Sequence, residues 1–253
     1  MKKEIKTTFG KGRDGFIEQT PQEEMNYARF SAKQWLSEYP NKVKNSFNEI
    51  YQSQMKELKG EYIKIRSKYQ SLDKYDDDDH FNFIDSEQYF EDQLFALSEM
   101  NIIYIFKEFE INLKSLSMKV YGNDDRNLYK WDKLKSYFKS KKISISEIGG
   151  YEEVRQLKEL NNHLKHSNRA ISNEIKNIKE FKEENFLTEE MINKFFERIK
   201  SYPHIFLQNI VGVIYTDLYE FDEERIKQMA EQMAQRMEKK DAKLYIDEIL
   251  KLY

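Results

Sequence analysis

The segment LKELNNHLKHSNR, residues 157–169, collects the side chains in this chain best suited to act on a phosphodiester. On a helix turning about 100° per residue, Arg155, Lys158, Asn162, His166 and Arg169 fall within an arc of roughly 80°. Guanidinium and ammonium groups hold non-bridging phosphate oxygens, and an imidazole exchanges protons near neutral pH. Lys165 adds a cation beside His166. Val154, Leu157, Leu160, Asn161 and Leu164 share the other side of the same helix, a stripe suited to a core. The plain alternative is a solvated polar face of the kind most amphipathic helices carry. Asn161, set among leucines, is expected to be buried and to tie its helix to a neighbour's backbone through the amide.

A scaffold must hold that helix, and composition narrows what it is. The chain has 253 residues, 3 Pro, 8 Gly and no Cys, with 34% charged and 39% hydrophobic residues. Thiolate catalysis, cysteine zinc sites and iron–sulfur clusters are thereby excluded, and such a length supports a core without staples. The formal net charge of −3 leaves no whole-molecule field to draw nucleic acid, so any such binding needs a local patch. The opening MKKEIKTTFGKGRDGF lacks the apolar run of a secretory signal, and the longest apolar run, residues 205–215, is interrupted by Gln208 and Asn209. These features predict an all-α, cytoplasmic protein that needs no metal or cofactor and does not enter a membrane.

Five regions follow from the pattern. Residues 1–19, with Gly10, Gly12 and Gly15 and no apolar periodicity, read as a flexible arm. Residues 20–72 read as a helical hairpin: Thr20, Pro21 and Glu23 form a helix start, Pro40 is expected to stop the first helix, and apolar residues recur at helical intervals through the second. The acidic tract at 73–84 reads as a linker. Residues 85–220 read as a bundle around a helix over 85–120, capped from Asp85 and Ser86, whose middle, LFALSEMNIIYIF, is apolar on nearly every face and so belongs at the centre. Short and longer helices follow over 129–138 and 151–167, with a capping box at Ser144 and Glu147 and a break or kink at Pro203. Asp222 is expected to cap one final amphipathic helix in 221–253.

The segment LKELNNHLKHSNR, preceded by a long central helix and followed by further helices, resembles the HEPN superfamily, small helical bundles found in prokaryotic toxin, abortive-infection and CRISPR-linked proteins. In that family an Arg, often followed by Asn or Asp, precedes a His by four to six residues, and many members are metal-independent ribonucleases whose paired protomers build one site. The resemblance covers about half the chain. It places His166 at the family His and Asn162 at the polar second position, while Asn161 stands where the family has Arg. It implies a homodimer, or a subunit of a defence or toxin-type system, in which His166 acts as general base toward a ribose 2′-hydroxyl and Lys158 or Arg169 stabilises the phosphorane. With a neutral carboxamide at 161, a second reading stands beside it: a non-catalytic scaffold or sensor that dimerises or binds a partner protein through its helices. A third is a regulator that binds a nucleotide at Arg155, Lys158 and His166.

Three further features bear on these readings. From Arg126 to Lys142 seven basic residues face one acid, a local balance of +6, with Tyr129, Trp131, Tyr137 and Phe138 interleaved. Arg126, Lys130 and Lys133 with Trp131 are candidates to hold single-stranded RNA, against the alternative that the rings are core. A literal Arg-to-His spacing recurs at Arg198 and His204, close to chance for this composition. In the last helix Ile226, Met229, Met233, Met237 and Leu244 form a stripe that either packs on the bundle or receives a partner.

Overall fold

A computed structural model of the chain describes residues 20–42, 46–71, 77–122, 130–166 and 169–253. The predicted arm at 1–19 lies outside them. The described residues form nine α-helices: α1 Pro21–Lys42, α2 Ser46–Gln70, α3 Asp77–Tyr121, α4 Trp131–Ser140, α5 Tyr151–His166, α6 Glu189–Ile199, α7 Tyr202–Tyr219, α8 Glu223–Ala234 and α9 Lys239–Leu250. Among them there is no β-strand, only one antiparallel bridge between Ala170 and Phe186. The fold class is all-α, as the sequence predicts. None of the described helices is long and apolar enough to cross a membrane.

The chain divides into two compact units, one gathering the sequence up to Leu36 with Tyr219–Tyr253, the other Ser37–Leu218. In the larger unit α3 is the axis, and α2, α5 and α6 all pack on it. Its inward stripe, Ile102, Ile105, Phe106, Phe109, Leu113 and Leu116, recurs at intervals of three and four and is buried. Phe109 meets Phe206 of α7 edge-on at 5.7 Å and Trp131 of α4 at 6.2 Å. Contrary to expectation, α3 is not enclosed on every side: Met100, Ile111 and Met118 lie on an exposed strip.

Other expectations change at the helix ends. The helix begins at Asp77 and not at residue 85, so the eight residues 77–84 of the predicted linker are helical, and 73–76 lie outside the described residues. Carboxylates such as Asp78 and Asp79 are favourable in a first turn, where the macrodipole is positive, so the acidic tract starts a helix instead of separating two. Ser86 is accordingly interior, its hydroxyl donating to the Asn82 carbonyl at 2.7 Å. Pro40 does not stop α1, which runs two residues further to Lys42; so near the end the lost N–H matters to one bond only. The segment at Ser144 is a single 3-10 turn, Ile145–Glu147, whose Ser144 side chain makes no cap bond. Pro203 lies in the first turn of α7, just past the break that ends α6. The C-terminal segment is two helices and not one, although neither Gly nor Pro marks residues 235–238.

In the smaller unit, α8 and α9 bury no residue. Ile226 is 55% exposed, Ile246 54% and Leu250 64%, and Met229, Tyr245, Leu252 and Tyr253 are exposed beside them. Arg29 places its guanidinium 4.7 Å from the Tyr253 ring, linking α1 to the C-terminus within this unit.

Candidate functional site

Helix α5 follows from its sequence. Gly149 and Gly150 precede it, and Gly150 takes a left-handed φ of 91° with Phe206 packed 3.5 Å from where a Cβ would stand. Glu152 and Glu153 occupy the first turn and Lys165 and His166 the last, both favourable to the macrodipole. Val154, Leu157, Leu160 and Leu164 are buried, so the helix is oriented as the wheel predicts.

The outer face is organised differently from the expected row of cations. Arg155 is clasped by Glu152 and Glu159, one turn before and one after it. The Glu152 carboxylate, followed by that of Glu159, holds the guanidinium in its charged form and raises its pKa. Lys158 places its ammonium 5.9 Å from the centre of the Trp131 ring. Helix α5 ends at His166, so Arg169 is not on its wheel. The Arg169 carbonyl accepts from Leu187 N–H at 2.7 Å, and its guanidinium donates to Asp92 at 2.6 Å while lying 4.2 Å from the Phe95 ring. Arg169 is thus drawn onto α3. Lys165 is exposed at the end of α5.

His166 and Asn162 do share a place. Both are exposed and line a groove of about 310 Å³ with Glu159, His163, Ser172 and Glu174. Nothing in the spacing of His163 marks it for this role in the sequence; Ser172, nine residues on, is brought beside it by the turns after α5. The two are 3.1 Å apart, Nδ1 to Oγ. Burial lowers the His163 pKa, opposed by the hydrogen bond that the imidazole donates to the Ala170 backbone and by the Glu174 charge. The Ser172 hydroxyl, in turn, holds the Glu174 carboxyl below its ordinary value. The groove therefore offers two imidazoles, a carboxamide, a hydroxyl and two carboxylates, and among the described residues lining it there is no Lys or Arg.

No family model, curated protein or solved structure matches this chain. Chemistry at the groove has to be argued from its own side chains. Two imidazoles suffice for acid–base work, but a pentacovalent phosphorane also needs positive charge beside it, and Glu159 and Glu174 supply the opposite sign.

The remaining candidates separate. Asn161 is 1% exposed, yet its amide does not reach a neighbouring backbone: Nδ2 donates to Asn162 Oδ1 at 3.2 Å, and the buried Oδ1 has no partner among the described residues. Trp131 is 8% exposed and packs on Phe109, so it is a core residue and cannot stack on a base. Phe138 is fully buried, and Tyr137 packs on Tyr121 at 6.1 Å. Lys130 and Lys133 are exposed; Arg126 lies outside the described residues. Arg198 donates to both oxygens of Glu180 (2.7 and 2.9 Å) and to Gln156 at 2.9 Å, while His204 opens onto a separate small cavity beside Glu108 and Lys200. The literal Arg-to-His spacing therefore brings no pair together.

Proposed function

We propose that this chain is a HEPN-like helical scaffold or sensor of a prokaryotic defence or toxin-type system that works by self-association through α8 and α9, and that it does not cleave RNA. The observation that carries the reading is the apolar face of these two helices, left open to solvent. Helices of 12 residues are marginal in water on their own and need a covered apolar face. Ile226, Met229, Tyr245, Ile246, Ile249, Leu250, Leu252 and Tyr253, each about half exposed, offer on the order of 800 Å², the share one partner contributes to a standard interface.

Charge favours a second copy as the occupant. Lys239, Lys240 and Lys243 outnumber Asp241 toward the start of α9, and Asp247 and Glu248, the latter paired with Lys251, leave a net negative charge toward its end. An antiparallel α9 pair related by a two-fold axis sets the basic end of each copy against the acidic end of the other.

Light scattering of the full chain at micromolar concentration tests this. A dimer is expected, and Ile246→Asp with Ile249→Asp is expected to yield a monomer of unchanged helicity. A chain that stays monomeric at about 100 µM, well above the Kd of such an interface, refutes it. RNA incubated with the protein in EDTA is expected to remain intact; cleavage abolished by His166→Ala would return the groove to the catalytic reading.

A further inference from the structure

Away from the His166 groove, a cavity of about 240 Å³ opens between α4 and the segment that follows it. Ile143-Ser144-Ile145-Ser146 alternates there as a strand would, but for a local reason. Ile143 and Ile145 are buried, 3% and 2% exposed, and anchor the backbone, which turns Ser144 and Ser146 outward into the cavity. Their hydroxyls lie 3.3 Å apart.

The facing wall is α4. Lys135 and Lys139, one turn apart, line the same cavity. Lys135 is fixed in place: its ammonium donates to Tyr151 Oη at 3.0 Å and lies 5.4 Å from that ring's centre. Lys139 makes no ion pair with a described residue. Two lysines, the ammonium of one held at Tyr151 beside the cavity, thus share with two adjacent hydroxyls the lining of a space large enough for a tetrahedral anion. Asp132 is the one acid among the described residues of the lining, within a stretch that also carries Lys130, Lys133, Lys141 and Lys142.

We infer that this cavity is a phosphate subsite, with Lys135 and Lys139 neutralising the anion and Ser144 and Ser146 donating hydrogen bonds to its oxygens. A phosphate group fits the donor set because it accepts several charge-assisted bonds from different directions, which a planar carboxylate does not. The group is carried either by a free nucleotide or by the backbone of a single strand lying along the basic face of α4. No residue of the site belongs to α8 or α9, so it is tested independently of self-association.

Titration of the full chain with inorganic phosphate, with ATP and with a fluorescent oligoribonucleotide, at two salt concentrations, tests it. Binding of at least one probe is expected, weakened about tenfold by Lys139→Ala and severalfold by the paired Ser144→Ala, Ser146→Ala substitution, and tightened by Asp132→Asn. Both serines are exposed, so the paired variant keeps the fold, and its circular dichroism checks that. ATP bound without the oligonucleotide assigns the phosphate to a free nucleotide, and oligonucleotide displaced by inorganic phosphate assigns it to a strand. Failure of all three probes, or binding indifferent to the serine pair and to Lys139, overturns the subsite.

Discussion

Replacing Asn161 by leucine is expected to stabilise the protein, and the amount follows from what the amide does. The side chain is 1% exposed between Leu157 and Leu164 on the core face of α5. Its Oδ1 is buried without a partner, and leaving such an acceptor unmet costs about 1–3 kcal/mol. The bond lost with Nδ2 goes to Asn162, an exposed residue that water re-satisfies, so its removal is close to neutral. Leucine adds about 0.5 kcal/mol of helix propensity, against about 1 kcal/mol of crowding from its larger end. The balance is a gain of about 0.5–2.5 kcal/mol, or about 1–10 °C in Tm for a chain of this size. Urea unfolding followed by circular dichroism measures it, with an unchanged m-value as the sign that the folded state is the one altered. The companion variant, Asn161→Arg, introduces the residue that the HEPN pattern has at this position. It would place a guanidinium on the buried face of α5 beside Leu157 and Leu164, and a loss of about 3 kcal/mol or more is expected, with no RNA cleavage gained. Asn161→Leu losing more than about 1 kcal/mol would mean that Oδ1 is satisfied in solution, and the reasoning would be refuted.

Two other perturbations follow from charges inside the larger unit. Because burial keeps the His163 pKa below its ordinary value, the folded state binds fewer protons than the unfolded one as pH drops below about 6.5. The stability this neutral imidazole contributes is complete above that pH and is lost as pH falls toward the lower folded value, so His163→Gln is expected to flatten the decline in urea midpoint between pH 7.5 and 5.5. The Arg198–Glu180 pair, bidentate and only part-exposed, is expected to show a coupling of about 1–2 kcal/mol in a double-mutant cycle of Arg198→Ala and Glu180→Ala; additive losses would show that the pair contributes nothing beyond its separate packing.

Much of the fold was legible because it depends on neighbours along the chain. The Thr20–Glu23 box forms in both directions, with Thr20 N–H donating to Glu23 Oε2 at 2.8 Å and Glu23 N–H to Thr20 Oγ1 at 3.3 Å. Asp222 accepts from Arg225 N–H at 2.8 Å, capping α8. The core face of α5 came from spacing alone. What misled were signals with two physical meanings. An acidic run reads as solvated linker or as a favourable first turn, and α3 took the second. A proline reads as a stop or as a tolerated residue near an end, and α1 took the second.

The candidate site fails to follow from the sequence for a more specific reason. A helical wheel says which side chains share a face; it does not say which partners hold their charges. For Arg155 the answer was within reach, since Glu152 and Glu159 stand three before and four after it, where ion pairs form on any exposed helix. For Arg169 it was not: Asp92 is 77 residues away, and only the turn from Arg169 to Leu187 brings the two together. With Arg155 neutralised, Lys158 placed over Trp131 and Arg169 bound to α3, the groove at His166 is left lined by carboxylates and imidazoles. The cavity beside α4, by contrast, carries Lys135 and Lys139 on its lining, so the positive charge that phosphate chemistry needs is found there and not in the groove at His166.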